Sequence, residues 1–211
     1  MWPFGKDDVP SKLGDRVWMT KQKKYDSLVE DALKFLEEGK IVLISWYFTD
    51  TGTYINSCLK ERHVDFTALD DVRPEIENKI NIVQADSFRT HYFRDRLSLG
   101  THEVVILFAE HYPLFKTEND LLQSLDSLGK HVSYFFYMSF DEPILTRFGA
   151  ARVVELMKNL GVTEDEMISS TLITSAIVNV QKKVESKVKF EISGFSLEDW
   201  FDKNLRTTDL S

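Results

Sequence analysis

Apolar residues recur along the chain in two alternating rhythms, one of helical period and one continuous or two-residue. Over residues 20–38, Tyr25, Leu28, Val29, Ala32, Leu33 and Leu36 fall three and four apart and predict an amphipathic helix. Gly39 stands where such a helix ends. Residues 41–48 form an unbroken apolar run with β-branched and aromatic members, which suits a strand buried on both faces. The alternation then repeats, with helices over 51–62, 87–97 and 114–128 and strands over 64–69, 80–85, 103–109 and 131–138. Residues 70–78, with Pro74, form a polar loop between two of the strands. About five such cycles predict a mostly parallel sheet with helices on both faces.

After Ser139 the pattern becomes helical. A helix is expected from Pro143, well suited to a first turn, to Leu160, with Gly161 as its stop. Thr163 and Glu166 have the spacing of a capping box for the next helix. A further start near Ser170 leads into a stripe of Ile173, Ile177, Val180 and Val184. Over 187–193 the period changes, and Val188, Phe190 and Ile192 alternate with Lys187, Lys189 and Glu191. That alternation predicts a one-sided edge strand. Ser196 opens a last short helix carrying Trp200 and Phe201. Residues 1–14, with Pro3, Gly5, Pro10 and Gly14, are expected to be a flexible arm.

Charge narrows the functional classes. Lys plus Arg number 26 and Asp plus Glu 34, a formal net charge of −8, which argues against a nucleic-acid binder. The one cysteine, Cys58, excludes an internal disulfide and falls in a helical pattern, where a buried inert thiol is expected. No run approaches the roughly 20 apolar residues that span a bilayer. The opening residues are too short and acidic for a secretory leader, so no membrane insertion and a cytoplasmic location are expected.

An open parallel sheet binds ligands beyond the carboxyl ends of its strands, here residues 47–51, 85–87, 109–112 and 138–141. No Gly-x-x-x-x-Gly-Lys-Ser/Thr run, no Gly-x-Gly-x-x-Gly and no Gly-x-Ser-x-Gly occurs, and Gly39-Lys40 precedes a strand as a turn. Glu110-His111 has the form of an acid that ends an NTPase strand beside magnesium, though a solvated strand end is the simpler reading. The five histidines lie on different elements without ligand spacing, so no metal site is expected. Asp70-Asp71 falls in a polar loop, and Asp141-Glu142 is placed to favour a helix N-terminus. Lys21, Lys23 and Lys24 read as a solvated helix face, and the contiguous Tyr134, Phe135, Phe136 and Tyr137 as core on both strand faces.

Asp141-Glu-Pro-Ile-Leu-Thr-Arg-Phe-Gly, Arg152-Val, Leu156-Met and Leu160-Gly resemble the end of the second nucleotide-binding domain of the SecA preprotein translocase motor. Ile173-Thr-Ser-Ala-Ile, Gln181 and Lys183-Val-Glu are similar to the stretch leading into that motor's helical scaffold. Asp15-Arg-Val-Trp-Met-Thr-Lys-Gln-Lys-Lys-Tyr, Val29-Glu-Asp and Gly39-Lys-Ile-Val-Leu-Ile are similar to the domain's opening. The resemblance spans residues 15–186. It implies a RecA-like, three-layer α/β/α domain, with 187–211 packed on it as an added strand and short helix. The motor's first domain, which supplies the phosphate loop and metal-binding acids, has no counterpart here.

The resemblance also implies where the second domain's chemistry should lie. Its glycine-rich segment falls on residues 85–92, where Phe88, Thr90 and Tyr92 replace two glycines and the aspartate and only Arg89 remains. Its two finger arginines fall, by gap-free spacing back from Ser139, on Ser124 and Ser127. Serine cannot neutralise charge on a transferring phosphoryl group. The expectation is a non-catalytic module with no cofactor that works through a protein partner, a translocation motor or a second copy of itself. The alternative is a nucleotide sensor or in-trans ATPase half using Arg89, Glu110 and His111.

Overall fold

The computed structural model describes residues 12–69, 78–90, 97, 103–128, 131–148, 155, 161, 163, 165–169 and 171–205. The strands are β1 (Lys12–Trp18), β2 (Ile41–Trp46), β3 (Phe66–Ala68), β4 (Ile80–Gln84), β5 (Val104–Phe108) and β6 (Val132–Ser139). The helices among the described residues are α1 (Lys21–Glu37), α2 (Thr49–Glu61), α3 (Phe115–Asp126), α4 (Pro143–Thr146), α5 (Thr171–Glu185) and α6 (Leu197–Asn204). A 3-10 turn, Ala85–Arg89, follows β4.

The strands form one six-stranded sheet in the order β1-β6-β5-β2-β4-β3, with every pairing parallel. Successive strand residues point to opposite faces, and each face has its own core. Val42, Ile44, Val105, Leu107, Phe135 and Tyr137 meet α1 and α2. Ile41, Leu43, Ile106, Phe108, Tyr134 and Phe136 meet α3. The four-aromatic run of β6 thus fills both cores, as the sequence predicts. A third cluster at the carboxyl end of the sheet gathers Val17, Phe48, Met138, Ile144, Ile177 and Trp200.

Helix ends follow local chemistry. Thr20 caps α1 by accepting the Lys23 N–H, and Gly39, at φ 78°, takes the left-handed conformation that closes it. Ser196 accepts the Asp199 N–H at 3.0 Å to start α6.

Several expectations need correction. The arm assigned to 1–14 gives way at Lys12, where β1 begins; residues 1–11 lie outside the described residues. Residues 187–193 form no strand. Phe190 and Ile192 are 89% and 54% exposed, and Glu191, exposed as well, accepts from the Tyr112 hydroxyl and Trp200 Nε1. The side chain of Asn204 takes both the N–H and the C=O of Ile192, so the segment is held to α6 instead of to a sheet edge.

The outer edge of β1 is met by Ile168, in an antiparallel bridge with Val17. Thr163 and Glu166 therefore do not open a helix; the Glu166 N–H bonds Thr163 O in a turn that leads into this bridge. The helix expected over 143–160 turns at Arg147 and Phe148, with Glu155 again helical. The helix expected over 87–97 starts as the 3-10 turn. Asp70-Asp71, His91 and His102 lie outside the described residues. Cys58 is half-buried, and burial pushes its thiol pKa up.

Candidate functional site

The chain passes from β4 to β5 across β2, so the strand order reverses around β2, the position at which open α/β sheets leave a crevice beyond their carboxyl ends. A cavity of about 480 Å³ lies there. Tyr47 and Phe48 after β2, Asp86 and Arg89 after β4, and Tyr112 after β5 line it, with Asp120 of α3. Ser193, Gly194 and Trp200 close the remaining side. A Cβ on Gly194 would lie 2.6 Å from the Trp200 backbone nitrogen, so only glycine lets this segment sit so close to α6.

Arg89 is the one cation among the described residues that line the cleft. One of its Nη atoms donates to Thr117 O at 2.8 Å, and Nε is 3.4 Å from Asp86 Oδ1. Phe88 beside it is fully buried and meets Phe108 edge-on at 6.0 Å. Burial of a side chain this size contributes about 1.5–3 kcal/mol, so the turn after β4 is packed shut where a glycine would leave the backbone open. Ser124 Oγ donates to Leu121 O and Ser127 Oγ to Ser124 O, both at 2.6 Å, so each hydroxyl turns back on its own helix.

Glu110 and His111 are not a solvated strand end, and they do not face the cleft beside Arg89. They are 4% and 2% exposed and lie beneath it. Glu110 accepts the N–H groups of Tyr47 and Phe48, both at 2.9 Å, and the Thr51 hydroxyl at 2.7 Å. It therefore fixes the β2–α2 turn. Burial raises its pKa to about 7, against those hydrogen bonds and the Lys24 charge.

His111 stacks on Phe136 at 4.0 Å, with Nδ1 at 2.9 Å from Glu118 Oε1 and Nε2 at 3.3 Å from Asp15 Oδ1. Gln181 of α5 donates to the same Glu118 oxygen at 3.0 Å. Burial opposes the imidazolium, but Glu118 and Asp15 outweigh it and raise His111 to about 9.

Lys24 also departs from expectation. It is buried, not solvated, and its Nζ donates to Ala109 O at 2.7 Å and to Glu142. Burial works against the ammonium, but the Glu142 charge overcomes it and holds the pKa well above the usual lysine value. Asp141 supports a helix N-terminus as expected, though that of α1: its Oδ2 accepts the Lys21 N–H at 3.0 Å.

The strand ends marked in the sequence at 47–51, 85–87 and 109–112 each supply residues to the cavity lining. It offers no sign of Asp120, or of Ser193, Gly194 and Trp200, because these arrive from distant elements. Of the groups that hold the cleft from below, Asp15, Lys24 and Gln181 fall in the segments that resemble SecA, but neither they nor Glu118 belong to a recognisable catalytic or binding motif.

A pH profile tests the buried Glu110. Its folded pKa lies above the ordinary 4.5. Its contribution to stability is therefore fully present below 4.5 and lost as pH rises through about 7. Glu110→Gln keeps the acceptor for both backbone N–H groups and removes the titration. Between pH 4.5 and pH 8 the stability difference should move in the variant's favour by roughly 3 kcal/mol. Urea unfolding at stepped pH measures this, and a difference that does not change with pH would show an ordinary carboxylate.

Comparison with known proteins adds ancestry. No protein-family model matches the chain. The protein translocase subunit SecA of Maridesulfovibrio salexigens is 26% identical over 189 residues, covering 84% of this chain and 22% of that protein. SecA of Clostridium perfringens strain 13 is 28% identical over 182 residues, covering 81% and 22%.

The chain is SecA-like.

It spans less than a quarter of the length of these relatives. Among solved structures, the C-terminal part of the Fun30 ATPase domain overlaps 79% of the SecA-like chain, and 54% of its own length, at 13% identity and a TM-score of 0.42. The parallel three-layer sheet agrees with the RecA-like architecture expected from the sequence. Among the described residues no helix is long and apolar enough to cross a membrane.

Proposed function

We propose that this SecA-like domain is non-catalytic and acts in the cytoplasm through contact with a protein of preprotein translocation, a translocation motor or a second copy of itself. The observation that carries the reading is Phe88. Its ring occupies the position that, by resemblance, belongs to a glycine, and it is buried against Phe108, where a glycine would let an anion approach the backbone. The hydroxyls of Ser124 and Ser127, each bonded back to its own helix, and the tethered Arg89 support the same reading.

The nucleotide-sensor alternative draws on Arg89, whose side chain is 40% exposed in the cleft. Glu110 and His111, which it also needs, are committed below the cleft to protein partners.

Calorimetric titration of ATP and ADP with magnesium decides between them. The proposed function predicts no saturable heat up to millimolar nucleotide, for the native chain and Arg89→Ala alike. Saturable binding that Arg89→Ala weakens would overturn it in favour of the sensor.

A further inference from the structure

We propose that the cleft beyond β2, β4 and β5 is a binding site for a lysine or arginine side chain presented by a partner protein. This deepens the protein-contact reading of the domain and rests on it.

Among the described residues, the walls of the cavity carry two carboxylates, Asp86 and Asp120, against one cation, Arg89. Arg89 is already held by Asp86 and by Thr117 O. Asp86 keeps its side chain 74% exposed, and Asp120 is exposed on the α3 wall. Phosphate would meet net negative charge here, and a cation would meet its complement.

A second observation is independent of the acids. The Tyr47 hydroxyl is buried and has no hydrogen-bond partner among the described residues. Its ring is fixed by stacking on Phe108 at 6.0 Å and by a tilted contact with Tyr112 at 5.1 Å. A buried hydroxyl of this kind is costly to leave unsatisfied, and its lone pairs suit an ammonium or guanidinium N–H. Burial, followed by the Glu118 charge, drives the Tyr47 phenol well above its usual pKa. Glu110 and Asp86 add to this, and Arg89 opposes it.

The third is the character of the walls. Tyr47, Phe48, Tyr112 and Trp200 give the cleft an aromatic lining, which attracts a desolvating cation and offers an anion nothing. The entering side chain would pass Asp86 and Asp120 at the rim, lay its methylenes along the aromatic rings and donate to Tyr47 Oη.

The test uses the full chain and three short blocked peptides, Gly-Arg-Gly, Gly-Lys-Gly and the uncharged isostere Gly-citrulline-Gly. The indole N–H of Trp200 and the backbone amides of 47–49 are followed by NMR. The arginine and lysine peptides should shift these signals saturably in the millimolar range. The citrulline peptide should bind roughly tenfold more weakly. Asp120→Asn and Tyr47→Phe should each weaken the cationic peptides at least about threefold, with thermal unfolding unchanged for the first and not lowered for the second.

Equal binding of the citrulline peptide, or no saturable shift with either cation, would overturn the cation site. Neither result bears on the protein-contact reading, which stands or falls with the nucleotide titration. Shifts of the same signals by ATP or pyrophosphate, with none from the peptides, would overturn both.

Discussion

Replacing Lys24 by methionine is expected to destabilise the domain by about 3–5 kcal/mol, the cost of leaving one partner of a buried ion pair behind. Methionine keeps the volume and the helix propensity of lysine, so α1 itself should be little affected. What changes is the floor beneath α4. Glu142, 3% exposed, loses the ammonium that faces it, and Ala109 O loses a donor at the end of β5. The other Glu142 oxygen has no hydrogen-bond partner among the described residues, so the orphaned carboxylate has no substitute. Glu142→Gln in the same chain should recover part of the loss, making the double variant more stable than the sum of the single changes predicts. Urea unfolding followed by tryptophan fluorescence measures all three. A loss below about 1 kcal/mol for Lys24→Met would mean that the pair is as weak as a solvated one.

The same lysine shows what the sequence conveys and what it hides. Periodicity reports burial only when the buried residues are apolar. It therefore locates β2, β5 and β6, whose inward positions are valine, isoleucine, leucine and aromatics on both faces. It finds α1 and α3 from their leucines, and the end of α1 from Gly39. It fails at β1, where Gly14, Asp15 and Arg16 interrupt any apolar rhythm. Asp15 is 1% exposed against His111, and Arg16 reaches Asp31 and Tyr137.

Residues 187–193 present the opposite error. Their alternation is genuine, but neither side is buried, since Lys189, Phe190, Glu191 and Ile192 are all exposed; the segment is held instead by Glu191, which accepts hydrogen bonds from the Tyr112 hydroxyl and the Trp200 indole. The candidate site was legible to the same degree. Strand ends are local features and can be marked from sequence. The wall made by Gly194 and Trp200, and most of the contacts among the charges beneath, depend on elements far apart in sequence, and polar residues that are buried look like polar residues that are not. The similarity to SecA supplies the ancestry that the periodicity alone does not.

His111→Phe should cost a comparable amount near neutral pH, and its pH dependence makes it the sharper test. Phenylalanine preserves the flat contact with Phe136 and removes the charge between Asp15 and Glu118. These two carboxylates belong to β1 and α3, and Gln181 brings α5 onto the same oxygen. One imidazolium therefore ties the sheet edge to two helices. Losing it leaves buried acids facing each other, for which about 3–5 kcal/mol is the expected cost.

The histidine's pKa rises from 6.5 to about 9 on folding. Its stabilising contribution is fully present below pH 6.5 and fades as pH climbs through about 9. The gap between native and variant should therefore be widest at or below pH 6.5 and close by roughly 3 kcal/mol by pH 9.5. Chemical denaturation across that range reads the gap directly. A gap that stays constant would mean a neutral His111 acting by shape alone, and the two carboxylates would then need another source of compensation.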